Sequence, residues 1–105
     1  MAQVKALFYV PLKDNDGRDL TAETQELQTE LYVRFVGWTF LGYVKGAWRM
    51  ADGTQALDES GAYVVTLEEA RLPELEQVLR DFKAKTWQEA IYLEIHRHVE
   101  VRFVQ

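Results

Sequence analysis

"WTFLGYVKGAWRMADGTQALDESGAYVVTL", residues Trp38 to Leu67, is the stretch whose reading decides the fold. Two runs rich in aromatic and β-branched residues flank Asp52-Gly53, a strong short-range hairpin signal. Taking Asp52-Gly53 as the centre of a two-residue type I′ turn sets the register by counting outward. Met50 then faces Gln55, Trp48 faces Leu57, Gly42 faces Tyr63, Phe40 faces Val65 and Trp38 faces Leu67. One face gathers Trp38, Phe40, Val44, Trp48, Leu57, Tyr63, Val65 and Leu67, with the Tyr63 ring covering the Gly42 backbone. A one-residue bulge near Gly46 or Gly61 would shift part of this ladder.

The flanking segments supply the remaining elements. Val4 to Leu12 alternates as a strand, with Val4, Ala6, Phe8 and Val10 on one face, and Pro11 ends it because proline cannot donate to a ladder. Thr21 is placed to cap a helix that runs to about Val36, with Leu27, Leu31 and Phe35 four apart on one side. Gly37 stands where a C-cap glycine belongs. Pro73 suits the first turn of a second helix, whose Leu75, Val78, Leu79 and Phe82 keep helical spacing. Glu89 to about Val104 reads as a last strand. The order β-α-β-β-α-β predicts an α+β, ferredoxin-like sandwich: a four-stranded antiparallel sheet with two helices on one face, in a single domain spanning residues 1–105.

Such a sheet should alternate cleanly if its second face meets water. Here Leu7, Tyr9, Val64 and Ala62 make that face apolar too. A second copy of the chain is the economical cover, so a homodimer is expected, packed sheet to sheet or through edge strands.

Composition bounds the function. The 105 residues are 48% hydrophobic and 12% aromatic, enough for a packed core. Twelve basic residues against seventeen acidic ones give a net charge of −5. That balance weighs against binding nucleic acid or an anionic membrane, which needs concentrated Lys and Arg. Cysteine is absent, which removes thiolate catalysis and Cys-ligated metals. No apolar run approaches a membrane span and no signal-peptide pattern opens the chain, so a cytoplasmic protein is expected. No Gly-rich phosphate loop is present, and no cofactor is expected.

Four constellations could carry chemistry. In the register above, Lys45, Arg49, Asp58 and Ser60 share a face, with Asp58 across from Ala47 and the two cations at its diagonals. They form either an anion subsite or a surface salt-bridge ladder. "YLEIHRHVEVR" places Glu94, His96, His98, Glu100 and Arg102 on one side of a strand. Solvated alternation is the plainer reading there, and a divalent metal held by His96 and His98 with Glu94 and Glu100 is the alternative. "DNDGRD" lacks the spacing of a calcium loop and reads as a turn. The aromatic set Trp38, Phe40, Tyr43, Trp48, Tyr63, Trp87 and Tyr92 is either core or the wall of an apolar ligand pocket.

Three segments, "GAWR" at Gly46 to Arg49, "DES" at Asp58 to Ser60 and "QEAIYLE" at Gln88 to Glu94, resemble small bacterial ferredoxin-like proteins. In those proteins a Gly-x-Trp strand and similar Glu-Ser and Gln-Glu-Ala strand starts recur. The resemblance covers the second half of the chain, implies the fold and carries over no catalytic residue. The expectation is a non-enzymatic homodimeric domain that binds a small molecule or a protein partner through Lys45, Trp48, Arg49, Asp58 and Tyr63. The rival is a small dimeric enzyme using His96 and His98 with Glu94 or Glu100 as acid–base or metal groups.

Overall fold

The structure, a computed structural model, describes residues 2–105. Its elements are β1 (Gln3–Pro11), α1 (Thr21–Phe35), β2 (Thr39–Arg49), β3 (Gln55–Glu68), a short 3-10 turn (Glu69–Arg71), α2 (Leu72–Lys85) and β4 (Leu93–His96). The four strands form one antiparallel sheet in the order β2-β3-β1-β4. This is the ferredoxin-like α+β arrangement that the sequence predicts.

The core lies between one sheet face and the two helices. Val4, Ala6, Phe8 and Val10 of β1 and Tyr63, Val65 and Leu67 of β3 supply the sheet side. Leu27, Leu31 and Phe35 of α1 meet them, with Leu72, Leu75, Val78, Leu79 and Phe82 of α2. These are the helical and strand periodicities read from the sequence, and burial of this apolar set is the main stabilising term. Lys85 of α2 ties the helices together through Glu26 of α1 at 2.9 Å.

The hairpin departs from the expected register. Asp52-Gly53 is not a two-residue turn: Gly53 N–H donates to Met50 O at 2.9 Å and Met50 N–H to Thr54 O at 2.7 Å. That pattern closes a three-residue loop whose last residue, Gly53, takes the left-handed conformation at φ +88°. Arg49 therefore faces Gln55, Trp48 faces Ala56, Ala47 faces Leu57 and Gly46 faces Asp58. A second shift follows at Leu41, since Phe40 faces Tyr63 but Gly42 faces Ala62. The bulge is thus beside Gly42, where φ is +128°, and not at Gly46 or Gly61. A period-two element changes face at each single-residue slip. The expected apolar face is consequently divided: Trp38, Phe40, Leu57, Tyr63, Val65 and Leu67 stay on the helix side, while Val44 and Trp48 pass to the open side.

Beyond Pro11, which pairs with Ser60, β3 loses its β1 neighbour. Residues 45–49 and 55–59 continue as a two-stranded ribbon, and the molecule measures 45 × 27 × 24 Å.

Three ends also differ from expectation. Leu20 holds the N-cap position of α1 without a side-chain bond, and Asp19 Oδ1 accepts from Thr21 N–H at 2.7 Å instead. Val36, not Gly37, takes the left-handed residue after α1, at φ 73°. The last strand spans Leu93 to His96 only. It runs antiparallel to β1 with Lys5 facing His96, and β1 begins at Gln3, so pairing cannot extend past His98. Among the described residues, no helix is long and apolar enough to cross a membrane.

Candidate functional site

On the helix side, a cleft of about 750 Å³ opens between the first half of α1, with the segment before it, and the part of β2 around its bulge. Trp38, Phe40, Tyr43 and Tyr63 form an aromatic wall. Tyr63 is the centre of it: the Trp38 ring meets it edge-on at 5.5 Å and the Phe40 ring at 5.4 Å. Phe40 in turn meets Tyr43 at 5.1 Å. Gly61 makes room for this packing, because a Cβ there would lie 3.0 Å from Phe40 Cε1 and 3.2 Å from Tyr63 Cε1. The facing wall comes from α1 and the segment before it: Lys13, Asp19, Thr24, Gln25 and Gln28. Gln28 Nε2 donates to the Tyr63 hydroxyl at 2.8 Å, which fixes the phenol and spends one of the amide's donors. The Asp19 carboxyl sits below its ordinary value, chiefly through the hydrogen bonds that Thr21 donates to it, so the rim carries a carboxylate at neutral pH. An apolar wall opposed by a few amides, hydroxyls and charges is the usual composition of a small-molecule site.

The open face carries a smaller cleft of about 350 Å³ at the root of the ribbon. Tyr9 and Tyr92 stack at 4.7 Å, and the Trp48 ring lies 6.1 Å from Tyr92 at 42°. Asp58 and Ser60 of β3, and the 88–92 segment before β4, complete it. A row of polar groups runs from here along β4. The Tyr92 hydroxyl donates to Glu94 Oε2 at 2.6 Å, and Glu94 Oε1 lies 2.8 Å from His96 Nε2. The Tyr92 bond, then the His96 contact, hold the Glu94 carboxyl below its ordinary value, and the same bond raises the Tyr92 phenol above its own.

The sequence-selected residues are therefore split between two faces. Trp48 and Asp58 share the open face. Lys45 belongs to the other, facing Glu59 at 3.7 Å, so among the described residues Lys45, Arg49 and Asp58 form neither the anion subsite nor the salt-bridge ladder that the sequence allowed. By register Arg49 also belongs to the helix face, although at the strand end it borders the smaller cleft. Tyr63 lies in the helix-side cleft. Glu94 and His96 do come together, but the chain leaves the sheet after His96, and His98 and Glu100 do not join them. Among the described residues, no three His, Asp or Glu side chains converge as a metal site. "DNDGRD" is a turn held by Asp14 Oδ1, which accepts from the N–H groups of Asp16 and Arg18. Trp87 stands apart, 79% exposed with φ 57°. Gln25, Gln28 and Thr24 were missed because a polar helix face gives no sign of what it overlooks.

No protein-family profile matches the chain, and no curated protein matches it. Solved structures do. A phage SAM lyase in complex with S-methyl-5′-thioadenosine superposes with a TM-score of 0.71 at 14% identity, covering 91% of this chain and 81% of that one. CutA1 from Oryza sativa gives 0.70 at 10% identity, with 97% and 84% covered. The divalent cation tolerance protein CutA1 from Thermus thermophilus gives 0.69 at 13%, with 95% and 87% covered. At these identities the likeness is one of fold, and it agrees with the ferredoxin-like topology.

Proposed function

We propose that the chain is a small-molecule-binding domain whose ligand is a flat heteroaromatic compound, of the purine nucleoside kind, held in the helix-side cleft. The observation that carries this reading is the opposition of Phe40, Tyr43 and Tyr63 to Thr24, Gln25 and Asp19 across about 750 Å³. A flat ring stacks on the aromatic wall, and the amides and carboxylate take its polar edge and any hydroxyls. The phage SAM lyase seen with S-methyl-5′-thioadenosine shows that a protein of this fold can hold such a compound. Lys45, which pairs with Glu59 on the same face, lies next along the ribbon from Tyr43, so the hairpin contributes the outer rim.

The working unit in this proposal is a homodimer. β2 is a sheet edge of eleven residues, and Leu41 on it is exposed. Leu57 on the adjoining ribbon is 79% exposed. A long apolar edge is a template for strand pairing, and a second copy covers it at the least cost in new chemistry.

Isothermal titration with S-methyl-5′-thioadenosine and adenosine, against ribose as control, tests the ligand class. Wild-type protein binds the two nucleosides and not ribose, and Phe40→Ala weakens binding about ten-fold through the lost stacking. If neither nucleoside binds, or if Phe40→Ala binds them as well as wild type, the reading fails. Light scattering after gel filtration checks the dimer: a 12.2 kDa species at micromolar protein removes it.

A further inference from the structure

We propose that the open sheet face carries a second binding site, for a small organic cation bearing a quaternary ammonium group, formed by Trp48, Tyr92 and Asp58. It is independent of the helix-side cleft, since the sheet lies between them.

The site is built by the two slips of the hairpin. With the register as found, Trp48 stands on the same face as Asp58, and Gly46, directly across from Asp58, carries no side chain to displace the Trp48 ring. The Trp48 ring also occupies the position a side chain at Gly46 would take, since a Cβ there would lie 2.9 Å from its Nε1. The tilt of 42° between Trp48 and Tyr92 leaves two adjoining π-faces in place of a closed stack. Tyr9, stacked at 4.7 Å, holds Tyr92 in position.

Aromatic faces attract a cation through their quadrupole, tryptophan most strongly. Tyr92 is improved for this role by its bond to Glu94: a phenol that donates at 2.6 Å to a carboxylate carries more electron density in its ring. The charges around the cleft have the same sign preference. Asp58 and Glu89 line it against the single guanidinium of Arg49. Asp58 takes part in no ion pair among the described residues. A metal ion would find no converging ligands here. A methylated ammonium needs none, because its diffuse charge is satisfied by π-faces with one carboxylate nearby. The cleft volume of about 350 Å³ suits a compound the size of choline.

The test is titration of the full chain with choline and with 3,3-dimethylbutan-1-ol, its uncharged isostere, followed by calorimetry or proton–nitrogen NMR shifts. Choline is expected to bind about ten-fold more tightly than the isostere. Asp58→Asn weakens choline binding several-fold, Arg49→Gln tightens it, and Lys45→Gln, on the opposite face, leaves it unchanged. Trp48→Leu abolishes the preference for choline, with circular dichroism confirming that the variant folds. Equal affinity for choline and the isostere, no binding of either, or an unchanged affinity in Asp58→Asn overturns the proposal. Shifts confined to the helix-side cleft would also overturn it, because the cation would then be a ligand of the other site.

Discussion

Phe40 and Tyr63 are direct cross-strand partners, with ring centroids 5.4 Å apart at 61°, and the residue after Phe40 is skipped in the β2–β3 ladder among the described residues. That skipped residue, Leu41, decides how function is distributed over the sheet. Up to Phe40 the strand sends its aromatics toward the helices and the larger cleft. Past the bulge the alternation is inverted, and Trp48 emerges on the open side beside Asp58.

Gly42 makes the inversion possible, because φ +128° is a conformation that side-chain-bearing residues avoid. Gly42→Ala is expected to lower stability by about 1–3 kcal/mol, the usual strain for such a backbone position. Gly37→Ala is the control: its φ lies outside the left-handed region and nothing stands within 4 Å of an added Cβ. Urea denaturation of the two variants measures the difference. Equal stabilities would mean that the bulge does not depend on glycine.

The Gln28–Tyr63 hydrogen bond at 2.8 Å joins the two walls of the larger cleft. Tyr63→Phe removes the acceptor and leaves the half-buried amide unpaired, so a loss of about 0.5–1.5 kcal/mol is expected. The Phe8 and Trp38 contacts of the ring survive the change. Nucleoside affinity should fall as well, since a freed Gln28 no longer holds the phenyl ring in place. Denaturation gives the first quantity and calorimetry the second.

Much of this fold was legible because the core positions follow simple periods. Val4, Ala6, Phe8 and Val10 alternate, and Leu75, Val78, Leu79 and Phe82 keep helical spacing, so their faces needed no tertiary information. The hairpin was not legible to the residue. Asp-Gly is compatible with a two-residue turn and with the end of a three-residue loop, and a glycine facing an aromatic cannot be told from one that opens a bulge. Each ambiguity is worth a single residue, and a single residue reverses a face. The last strand was over-read for another reason. Alternation from Glu94 to Arg102 is present in the sequence, but a strand needs a neighbour, and β1, which begins at Gln3, has no residue to face Glu100.

Val36 closes α1 in the left-handed conformation at φ 73°, an unfavourable place for a β-branched side chain. Val36 is 86% exposed, so little packing would be lost on removing its side chain. Val36→Gly should therefore raise stability by about 1 kcal/mol, the relief of the left-handed strain less the extra freedom of the unfolded glycine. Thermal denaturation monitored by circular dichroism reads the shift. A lower midpoint would show that the exposed Val36 side chain makes a contact of value, such as one with a second copy.

The carboxylates give the molecule a defined response to acid. Asp14, Asp19, Asp52, Glu74 and Glu94 all lie below their ordinary values, each chiefly through a hydrogen bond donated to it. For Asp52 the donors are the Thr54 hydroxyl at 2.6 Å and its N–H at 2.9 Å, across the hairpin loop. A lowered value means that the folded state holds the charged form more tightly than the unfolded chain does. These groups therefore contribute stability above their unfolded values, near 3.8 for Asp and 4.5 for Glu, and lose it as pH falls through the lower folded ones. The urea midpoint should decline between about pH 5 and pH 2, and Asp52→Asn should flatten part of that decline. Tyr92 has the opposite sign: its raised value contributes stability below about pH 10, lost as the phenol ionises. Glu94→Gln should return the Tyr92 ionisation toward its ordinary pH in an ultraviolet titration. An unchanged titration would mean that the Tyr92–Glu94 bond does not persist in solution, and the electron-rich ring invoked for the open-face site would lose its source.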